Sequence, residues 1–443
     1  MKNYFLKSTS AAPLVVFRIG LGLMLFLSTI RFWVNGWIAD LYITPKYFFP
    51  YYGFEFIVPL GFYTYIIFAL CAVSALFVAL GYYYRISIVT LFLSFTYIEL
   101  IDKTTYLNHY YFVSMICLLM IFLPAHVYFS VDAYRKVSIR ASHIPQWCVD
   151  AVKLFVCLLY VFAGIAKINS DWLLHALPLK IWLPARNDMP VIGFLFNYTW
   201  LAFIFSWFGC IYDLSIAFFL WNKKTRMAAY LAVVVFHVLT SLLFPIGIFP
   251  YVMIVTALIY FSADFHTRII QCIQGLIPAS AINTHVQKTY AYTTSQLYVV
   301  KAAILLFFLL QFLIPFRYLC YPGNLFWTEQ GYRFSWRVML MEKAGHAEFT
   351  VKDAVGNYRI VNNEDFLTKQ QEKMMATQPD MILQYAHILA NYYKTQGFVN
   401  PQVYADVYVA LNGQLGKSMV DKMVDLAKEE ESFAHKSWII RYK

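Results

Sequence analysis

A lysine at the end of an apolar segment is the residue of this sequence best placed to do chemistry. Lys167 follows the apolar run Ala163–Ala166 and precedes a short polar stretch that closes at Trp172. An amine in such a position anchors the outer membrane face, pairs with a buried carboxylate, or acts as a base that desolvation keeps neutral. The rest of the sequence favours the third role.

Two histidines lie in comparable settings. His109 opens the fourth apolar segment, and His237 lies in the middle of the seventh, with Ser241 one turn away. A single histidine on a helix is more often a satisfied core residue than a catalytic one. His109 and Lys167 fall at the same end of the predicted bundle, so their spacing predicts a polar site near the outer interface.

The sequence lacks the motifs of several common enzyme chemistries. It contains no HExxH, no series of histidine boxes, no GxxxxGK[ST] and no GxSxG. Metal-dependent hydrolysis, nucleotide use and serine hydrolysis therefore lack their residues, and no metal site is predicted. Three classes of function remain compatible with the sequence: acid–base chemistry on a membrane-dissolved molecule, transport and binding.

Composition predicts that these residues lie in a membrane protein. Of the 443 residues, 60% are hydrophobic and only 13% are charged, whereas soluble proteins carry about 25% charged residues. The 19% of aromatic residues suits interfacial belts and also a cavity for a flat apolar ligand. The net charge of +11 includes no Lys/Arg-rich block, so we expect contact with the lipid bilayer and no nucleic-acid partner.

Apolar runs long enough to cross a bilayer predict a polytopic α-helical bundle of about nine spans. The third and fifth runs are short, and the pair around 244–247 is also compatible with a re-entrant hairpin, which leaves the count open by one. The runs are 12–34, 57–82, 87–101, 109–128, 151–167, 194–221, 228–244, 247–263 and 296–316.

Lysines and arginines are unevenly distributed between the loops. If the N-terminus is inside, the inner segments hold Lys2, Lys7, Arg85, Arg135, Lys136, Arg140, Lys223, Lys224, Arg226, Arg268 and Lys288. The outer loops hold the smaller set of Arg31, Lys46, Lys103, Lys167, Lys180 and Arg186. This bias satisfies the positive-inside tendency, and an odd number of spans then places the chain after about Phe316 outside.

The sequence is predicted to divide into two domains. Residues 1–318 form the transmembrane helical domain, and residues 319–443 form a small extracytoplasmic α+β domain. Strand-like pieces occupy 332–361, and polar helix-like segments dominate after Asn363, with a new helix starting near Pro379. The expected location is a bacterial inner membrane, or the endoplasmic reticulum if the source is eukaryotic.

Ionisable residues inside the predicted spans are costly to bury, so each needs an explanation. Arg18 and Asp213 fall within predicted helices, and a structural role as a buried pair or a lipid-headgroup contact is favoured for both. Glu99 and Asp102 end the third span, where an interfacial position is favoured.

Several motifs occur in an order and spacing found in one known family. They are residues 13–20 (PLVVFRIG), Asp102–Thr105 followed by Asn108-His109, Ala163-Gly164 followed by Lys167 and Asp171-Trp172, Phe236-His237, residues 246–249 and 251–253, Trp327-Thr328, Tyr332 and Phe334-Ser335-Trp336. Through these motifs most of the chain resembles the vitamin K-dependent gamma-glutamyl carboxylase family, whose membrane part is called the horizontally transferred transmembrane domain.

The resemblance implies an activity and its cofactors. In this family a reduced vitamin K (a naphthohydroquinone) reacts with O2 to give an epoxide and a strong base, which removes a proton from a peptide glutamate that then captures CO2. The partner is thus a glutamate-containing protein or peptide. Lys167 lies at the position of the catalytic lysine, which deprotonates the hydroquinone, and His109 at that of an essential histidine.

The remaining site residues are assigned on weaker grounds. Arg186 is a candidate clamp for the substrate carboxylate, although an interface-anchoring role fits it equally well. The residues expected to bind quinone or substrate are His237, Asn108, Tyr106, Arg186, Tyr332 and Trp336.

The sequence also departs from the animal enzymes. Ala166-Lys167 stands where they have two lysines, and Tyr106 stands where they have a tryptophan. They continue through a further lumenal region, so recognition of a propeptide is in doubt and the chain is closer to compact bacterial members. Two alternatives stay open: a quinone-binding or quinol-oxidising protein that carboxylates nothing, and a transporter, although no inverted repeat is visible.

Overall fold

Within the residues that the structure describes, ten helices form the bundle, and all but the ninth coincide with a predicted apolar run. A computed structural model describes residues 4, 7–275 and 288–442, so Lys2 of the charge count lies outside the described residues. The helices are α1 Ala12–Val34, α2 Thr64–Leu80, α3 Tyr84–Ile101, α4 Asn108–Phe122, α5 Gln146–Ala166, α6 Thr199–Trp221, α7 Arg226–Leu243, α8 Phe249–Ala257, α9 Ala263–Gly275 and α10 Thr294–Leu313. The polytopic helical fold class is therefore confirmed.

The number of spans depends on two short helices. Within the described ranges, seven helices are long and apolar enough to cross a membrane, or eight if a bent pair is counted as one span. That pair consists of Phe249–Tyr260 and α9, which meet at an angle of 117°. The short apolar helix α4 has 15 residues. The predicted count of nine therefore stays a prediction.

A buried arginine holds one end of the bundle together. Arg18, only 1% exposed, donates hydrogen bonds to the carbonyls of Ala125 and Phe129 at 2.8 Å and of Ala79 at 3.3 Å. Its role is thus structural, as expected, but its partners are backbone carbonyls and not a carboxylate or a lipid headgroup. At the same end, β1 (Ser8–Ser10) pairs antiparallel with β2 (His143–Pro145).

Helices α5 and α6 pack closely enough to bring polar groups together. A Cβ added at Gly164 of α5 would lie 2.7 Å from a side-chain carbon of Leu214 on α6. No larger residue fits there without moving the helices apart, so the glycine permits their close approach. The next turn of α5 ends at Lys167, opposite Asp213 of α6.

The C-terminal domain is a four-stranded antiparallel sheet covered by two helices. The strands are β3 Lys343–Lys352, β4 Tyr358–Ile360, β5 Gln402–Leu411 and β6 Lys417–Ser418, in the order β4-β3-β5-β6. The helices are α11 Lys369–Met375 and α12 Pro379–Thr395, which begins at the predicted proline. Small helices elsewhere are Trp37–Tyr42, Val131–Arg135, Ser170–His175, Leu179–Trp182 and Leu325–Thr328.

Strand β5 was not predicted; it lies after Asn363, in the part of the chain where polar helix-like segments were expected to dominate. This strand forms the longest pairing of the domain, with Lys343 opposite Leu411 and Lys352 opposite Gln402. Its residues alternate strictly between buried and more exposed positions, the pattern expected of a strand with one face on a core. The predicted boundary at 318/319 stays a prediction; the last helical turn before the domain ends at Cys320.

The domain is fixed to the bundle through the loop between α3 and α4. The side chain of Lys103, 2% exposed, lies 2.9 Å from Asp380 and 3.5 Å from Glu431. Gln371 donates a hydrogen bond to Asp102 at 3.0 Å. The expectation that Asp102 lies at the lipid interface was wrong, because this carboxylate is buried between the two domains.

Candidate active site

Lys167 and Asp213 form a buried ion pair. The Lys167 Nζ lies 2.6 Å from Asp213 Oδ2, and the two side chains are only 7% and 8% exposed. The amine also lies 5.4 Å from the centroid of the Trp172 ring and 3.4 Å from the carbonyl oxygen of Ala163. The carboxylate fixes the direction of the amine, so one end of α5 presents a positioned proton donor and acceptor to the space beside it.

This space is an apolar cavity of about 540 Å³, which we call the lysine cavity. Its polar side chains are few: Lys167, Asp213, His237, Tyr160 and Thr240 line it. Most other lining residues are aliphatic or aromatic, among them Leu159, Phe205, Phe208, Leu231, Phe236 and Leu243. A cavity of this size with a few convergent polar groups is typical of a small-molecule site.

His237 contributes a second polar couple to the lysine cavity. Its Nε2 lies 3.1 Å from the hydroxyl of Tyr160. Its Nδ1 is buried and has no hydrogen-bond partner in the described part of the chain. A buried ring nitrogen left without a partner has lost its contact with water, so the site favours a ligand that supplies the missing hydrogen bond.

His109 lies in a different space, which we call the histidine cavity. This cavity has a volume of about 760 Å³ and lies between the bundle and the C-terminal domain. The His109 ring stacks on Phe249 with centroids 5.3 Å apart, and it has no hydrogen bond to the residues in ranges 7–275 and 288–442. Its nitrogens are thus free to bind a molecule in the cavity.

The two cavities share one wall. Residues that line both are Trp182, Ile246, Phe249, Val338 and Met339. Phe249 stacks on His109 and makes an edge contact with His237 at 6.1 Å, so its ring stands between the two histidines. Lys167 and His109 were expected at one polar site, but each lines its own cavity, and the side chains of the shared wall separate them.

Three of the predicted binding residues hold one backbone segment. Tyr106 accepts a hydrogen bond from the Phe334 amide at 2.7 Å and donates one to Asn108 at 3.0 Å. Asn108 and Tyr332 both donate to the carbonyl of Arg337, at 2.8 and 3.3 Å. All three also line the histidine cavity, so they shape its wall and position the segment that crosses it.

The other two predicted binding residues line neither cavity. Trp336 is fully buried in the bundle core, with its ring 4.9 Å from that of Tyr111. Arg186 donates a hydrogen bond to the carbonyl of Leu243 at 2.8 Å. Among the residues that the structure describes, no group of three or more His, Cys, Asp or Glu side chains is arranged to hold a metal ion.

Comparison with known families agrees with the two-part architecture. Residues 6–265 match the HTTM domain, and residues 296–443 match the lumenal domain of vitamin K-dependent gamma-carboxylase. The chain belongs to the gamma-glutamyl carboxylase family. No solved structure matches it significantly.

Two cations share one carboxylate at the junction between the HTTM domain and the lumenal domain. Asp380 bridges Lys103 and Arg333, at 2.9 and 2.6 Å. Burial alone would raise the pKa of this carboxyl, but the charges of Arg333 and Lys103 outweigh burial and hold the pKa far below its ordinary value. The carboxylate stays ionised at any physiological pH, and the junction is permanently charged.

Reasoning from the sequence missed two residues of these cavities. Asp213 was expected to form a buried pair or to contact a lipid headgroup; the buried pair is present, but its partner, Lys167, was not predicted. Arg337 was not singled out, because an arginine in a chain with net charge +11 carries no signal of its own. Its position in the histidine cavity becomes apparent only from the fold.

Proposed function

We propose that this protein is an integral membrane carboxylase that couples oxidation of a reduced vitamin K by O2 to γ-carboxylation of protein glutamate residues with CO2. The observation that carries the proposal is the buried Lys167–Asp213 pair at the wall of an apolar cavity. A second, polar cavity lies next to it beneath the domain that matches the lumenal domain of the carboxylases.

The lysine cavity fits a naphthohydroquinone in shape and chemistry. Such a molecule is flat and apolar, with two hydroxyl groups at opposite ends of one ring. The cavity offers apolar walls and two separate polar couples, Lys167 with Asp213 and Tyr160 with His237. When bound, the hydroquinone supplies with O2 the strong base that no side chain provides.

Lys167 is the residue that removes the hydroquinone proton. Asp213 orients the amine at 2.6 Å, and it is the acceptor to which the amine passes a proton before it takes one from the hydroxyl. We assign Asp213 as a positioning residue and proton acceptor, and the Tyr160–His237 couple as the group that binds the opposite hydroxyl.

His109 and the shared wall keep water from the reaction. His109 presents its free nitrogens to the histidine cavity, where the peptide glutamate binds. The apolar side chains of the wall, Phe249 above all, separate this polar space from the lysine cavity. Excluding water keeps the strong base from being protonated before it removes the proton of the glutamate C–H.

The membrane arrangement supplies both substrates by separate routes. The hydroquinone reaches the lysine cavity through the bilayer, and the peptide approaches from the extracytoplasmic side under the C-terminal domain. This orientation follows from the excess of basic residues in the segments predicted to be inner. A bacterial inner membrane, or the endoplasmic reticulum in a eukaryote, is the proposed location.

The reaction itself tests the proposal. Purified protein in nanodiscs is incubated with reduced naphthoquinone, O2, labelled bicarbonate and a glutamate peptide, and two products are measured: γ-carboxyglutamate after base hydrolysis, and quinone epoxide. We expect both products from the wild type and neither from Asp213→Ala. Absence of both products from folded wild-type protein refutes the proposal.

A quinol oxidase without carboxylation is the second candidate. It is favoured by the separation of the two cavities, since oxidation of the hydroquinone requires only the lysine cavity. The same assay distinguishes the two functions: quinone oxidation with no labelled γ-carboxyglutamate, from any glutamate peptide or membrane protein, supports the second candidate.

A further inference from the structure

Arg337 is a buried cation that lacks a counter-charge. The residue is 8% exposed and lines the histidine cavity. No carboxylate lies within ion-pair distance of it in residues 4, 7–275 and 288–442, and its Nε has no hydrogen-bond partner there. Its guanidinium carbon lies 4.3 Å from the centroid of the Tyr318 ring, which covers one face.

The other cations of the histidine cavity are accounted for. Lys103 and Arg333 are paired with Asp380, and Arg31 is exposed and lies 4.9 Å from the Trp37 ring. The acidic residue that lines the cavity, Glu329, is paired with Lys343 at 2.7 Å. Among the lysines and arginines that line this cavity in the described part of the chain, Arg337 alone is buried and has no carboxylate partner.

The backbone around Arg337 is held in an unusual conformation. Phe334, Trp336 and Met339 all have positive φ angles, of 61°, 57° and 52°. Such angles are costly for residues with side chains and persist only where the surroundings impose them. The hydrogen bonds from Asn108 and Tyr332 to the Arg337 carbonyl are part of that constraint, so the guanidinium is positioned before any ligand arrives.

We propose that Arg337 binds the side-chain carboxylate of an acidic peptide residue in the histidine cavity. This inference rests on the proposed function, since the residue it binds is the glutamate to be modified. A guanidinium presents parallel N–H donors that match the two oxygens of a carboxylate. An uncompensated buried charge is unfavourable until such a partner binds.

Arg337 is next in the sequence to the wall that separates the histidine cavity from the lysine cavity. The next two residues, Val338 and Met339, belong to the wall shared with the lysine cavity. A carboxylate held by Arg337 would therefore share its cavity with this wall and with His109. The arginine acts on the carboxylate and takes no proton.

Binding without turnover tests this role. A fluorescein-labelled pentapeptide with one central Glu, and its Gln counterpart, are titrated onto protein in phosphatidylcholine nanodiscs with no quinone present, and anisotropy is measured. We expect the wild type to prefer the Glu peptide by about 10-fold to 100-fold, the range given by hydrogen bonds to a charged group. Arg337→Met should bind both peptides equally weakly.

Two further variants keep the result interpretable. Arg359→Met removes the same charge from the exposed strand β4 of the same domain, and it should keep the wild-type preference. Arg337→Lys keeps a charge without the bidentate geometry and should show a Glu preference at least fivefold smaller than the wild type. If Arg337→Met fails to fold, the Glu preference of Arg337→Lys tests the role of Arg337 in its place.

Three outcomes overturn the inference. They are an undiminished Glu preference in folded Arg337→Met or in Arg337→Lys, no Glu preference in the wild type, and an Arg337-dependent preference for phosphatidylglycerol over phosphatidylcholine without one for Glu. The assay is independent of the proposed reaction. An Arg337-dependent Glu preference in protein that makes no γ-carboxyglutamate supports this inference and refutes only the carboxylase function.

Discussion

Replacing Asp380 by Asn should destabilise the junction between the two domains. The substitution keeps the size of the side chain and removes its charge, which faces Lys103 at 2.9 Å and Arg333 at 2.6 Å. Lys103 is 2% exposed and Arg333 13% exposed, so neither cation recovers full contact with water. Lys103 retains only the more distant Glu431, at 3.5 Å.

The expected cost follows from burial. Removing one partner of a buried ion pair costs about 3–5 kcal/mol. Because Asp380 is itself 24% exposed and Glu431 remains near Lys103, we expect a value near the lower limit, about 3 kcal/mol. Asp406→Asn is the matched control: its pair with Lys422 has the same length of 2.6 Å but is about half exposed, so its loss should cost about 0–1 kcal/mol.

Urea-induced unfolding of the C-terminal domain in nanodiscs, followed by tryptophan fluorescence, measures both costs. The pH dependence of the cost of Asp380→Asn is a second test of the same reasoning. Because the pKa of Asp380 is depressed in the folded state, its stabilisation is fully present above the unfolded pKa of about 4 and is lost as the pH falls below it. The difference between wild type and Asp380→Asn should therefore narrow below about pH 4. Equal costs for Asp380→Asn and Asp406→Asn would refute the reasoning.

Three further predictions concern orientation, cofactor and coupling. Cys272 and Cys320 are the exposed cysteines of the chain, and a membrane-impermeant maleimide added outside should label Cys320 but not Cys272; the opposite pattern contradicts the proposed topology. Purified protein should bind a naphthoquinone and keep its activity in excess chelator, whereas activity restored by one particular metal would contradict the quinone-only cofactor. His109→Ala should continue to oxidise hydroquinone while forming little γ-carboxyglutamate, and equal loss of both products would place His109 in the oxidation step.

The membrane fold could be predicted from the sequence because the bilayer imposes a simple requirement. Each span needs a long apolar run, and the segments predicted at 12–34 and 194–221 match α1 and α6 within a few residues. The number of spans could not be determined from the lengths of the apolar runs. Helix α4 is shorter than a full span, and α9 bends away from α8, so length alone does not say which helices cross.

Strand β5 of the C-terminal domain has an alternating pattern that is visible in the sequence. In β5 the buried residues are Val403, Ala405, Val407, Val409 and Leu411, and they alternate with the more exposed Gln402, Tyr404, Asp406, Tyr408 and Ala410. The nearby polar helices dominated the sequence-based interpretation. The period of two over these ten residues is typical of a strand, and no strand was predicted there.

The site was predictable only in part, because its pairs are distant in the sequence. Lys167 and His109 were identified by their positions at the ends of apolar runs. The contact of Lys167 with Asp213 depends on the approach of α5 and α6 at Gly164, and the sequence does not specify which faces meet. Arg186 was chosen as the carboxylate clamp and Arg337 was not, because the sequence does not show which arginine lines a cavity.

Replacement of Lys167 tests the central claim most directly. Lys167→Ala should lose both epoxide and γ-carboxyglutamate by about 10²–10⁴-fold while still binding naphthoquinone. Lys180→Ala, which replaces a lysine that does not line this cavity, is the control. Small primary amines should restore part of the activity, and amines of higher pKa should restore more, because a free base replaces the missing one. Normal turnover per folded molecule in Lys167→Ala would contradict the assignment of Lys167 as the base and would leave the lysine cavity as a binding site only.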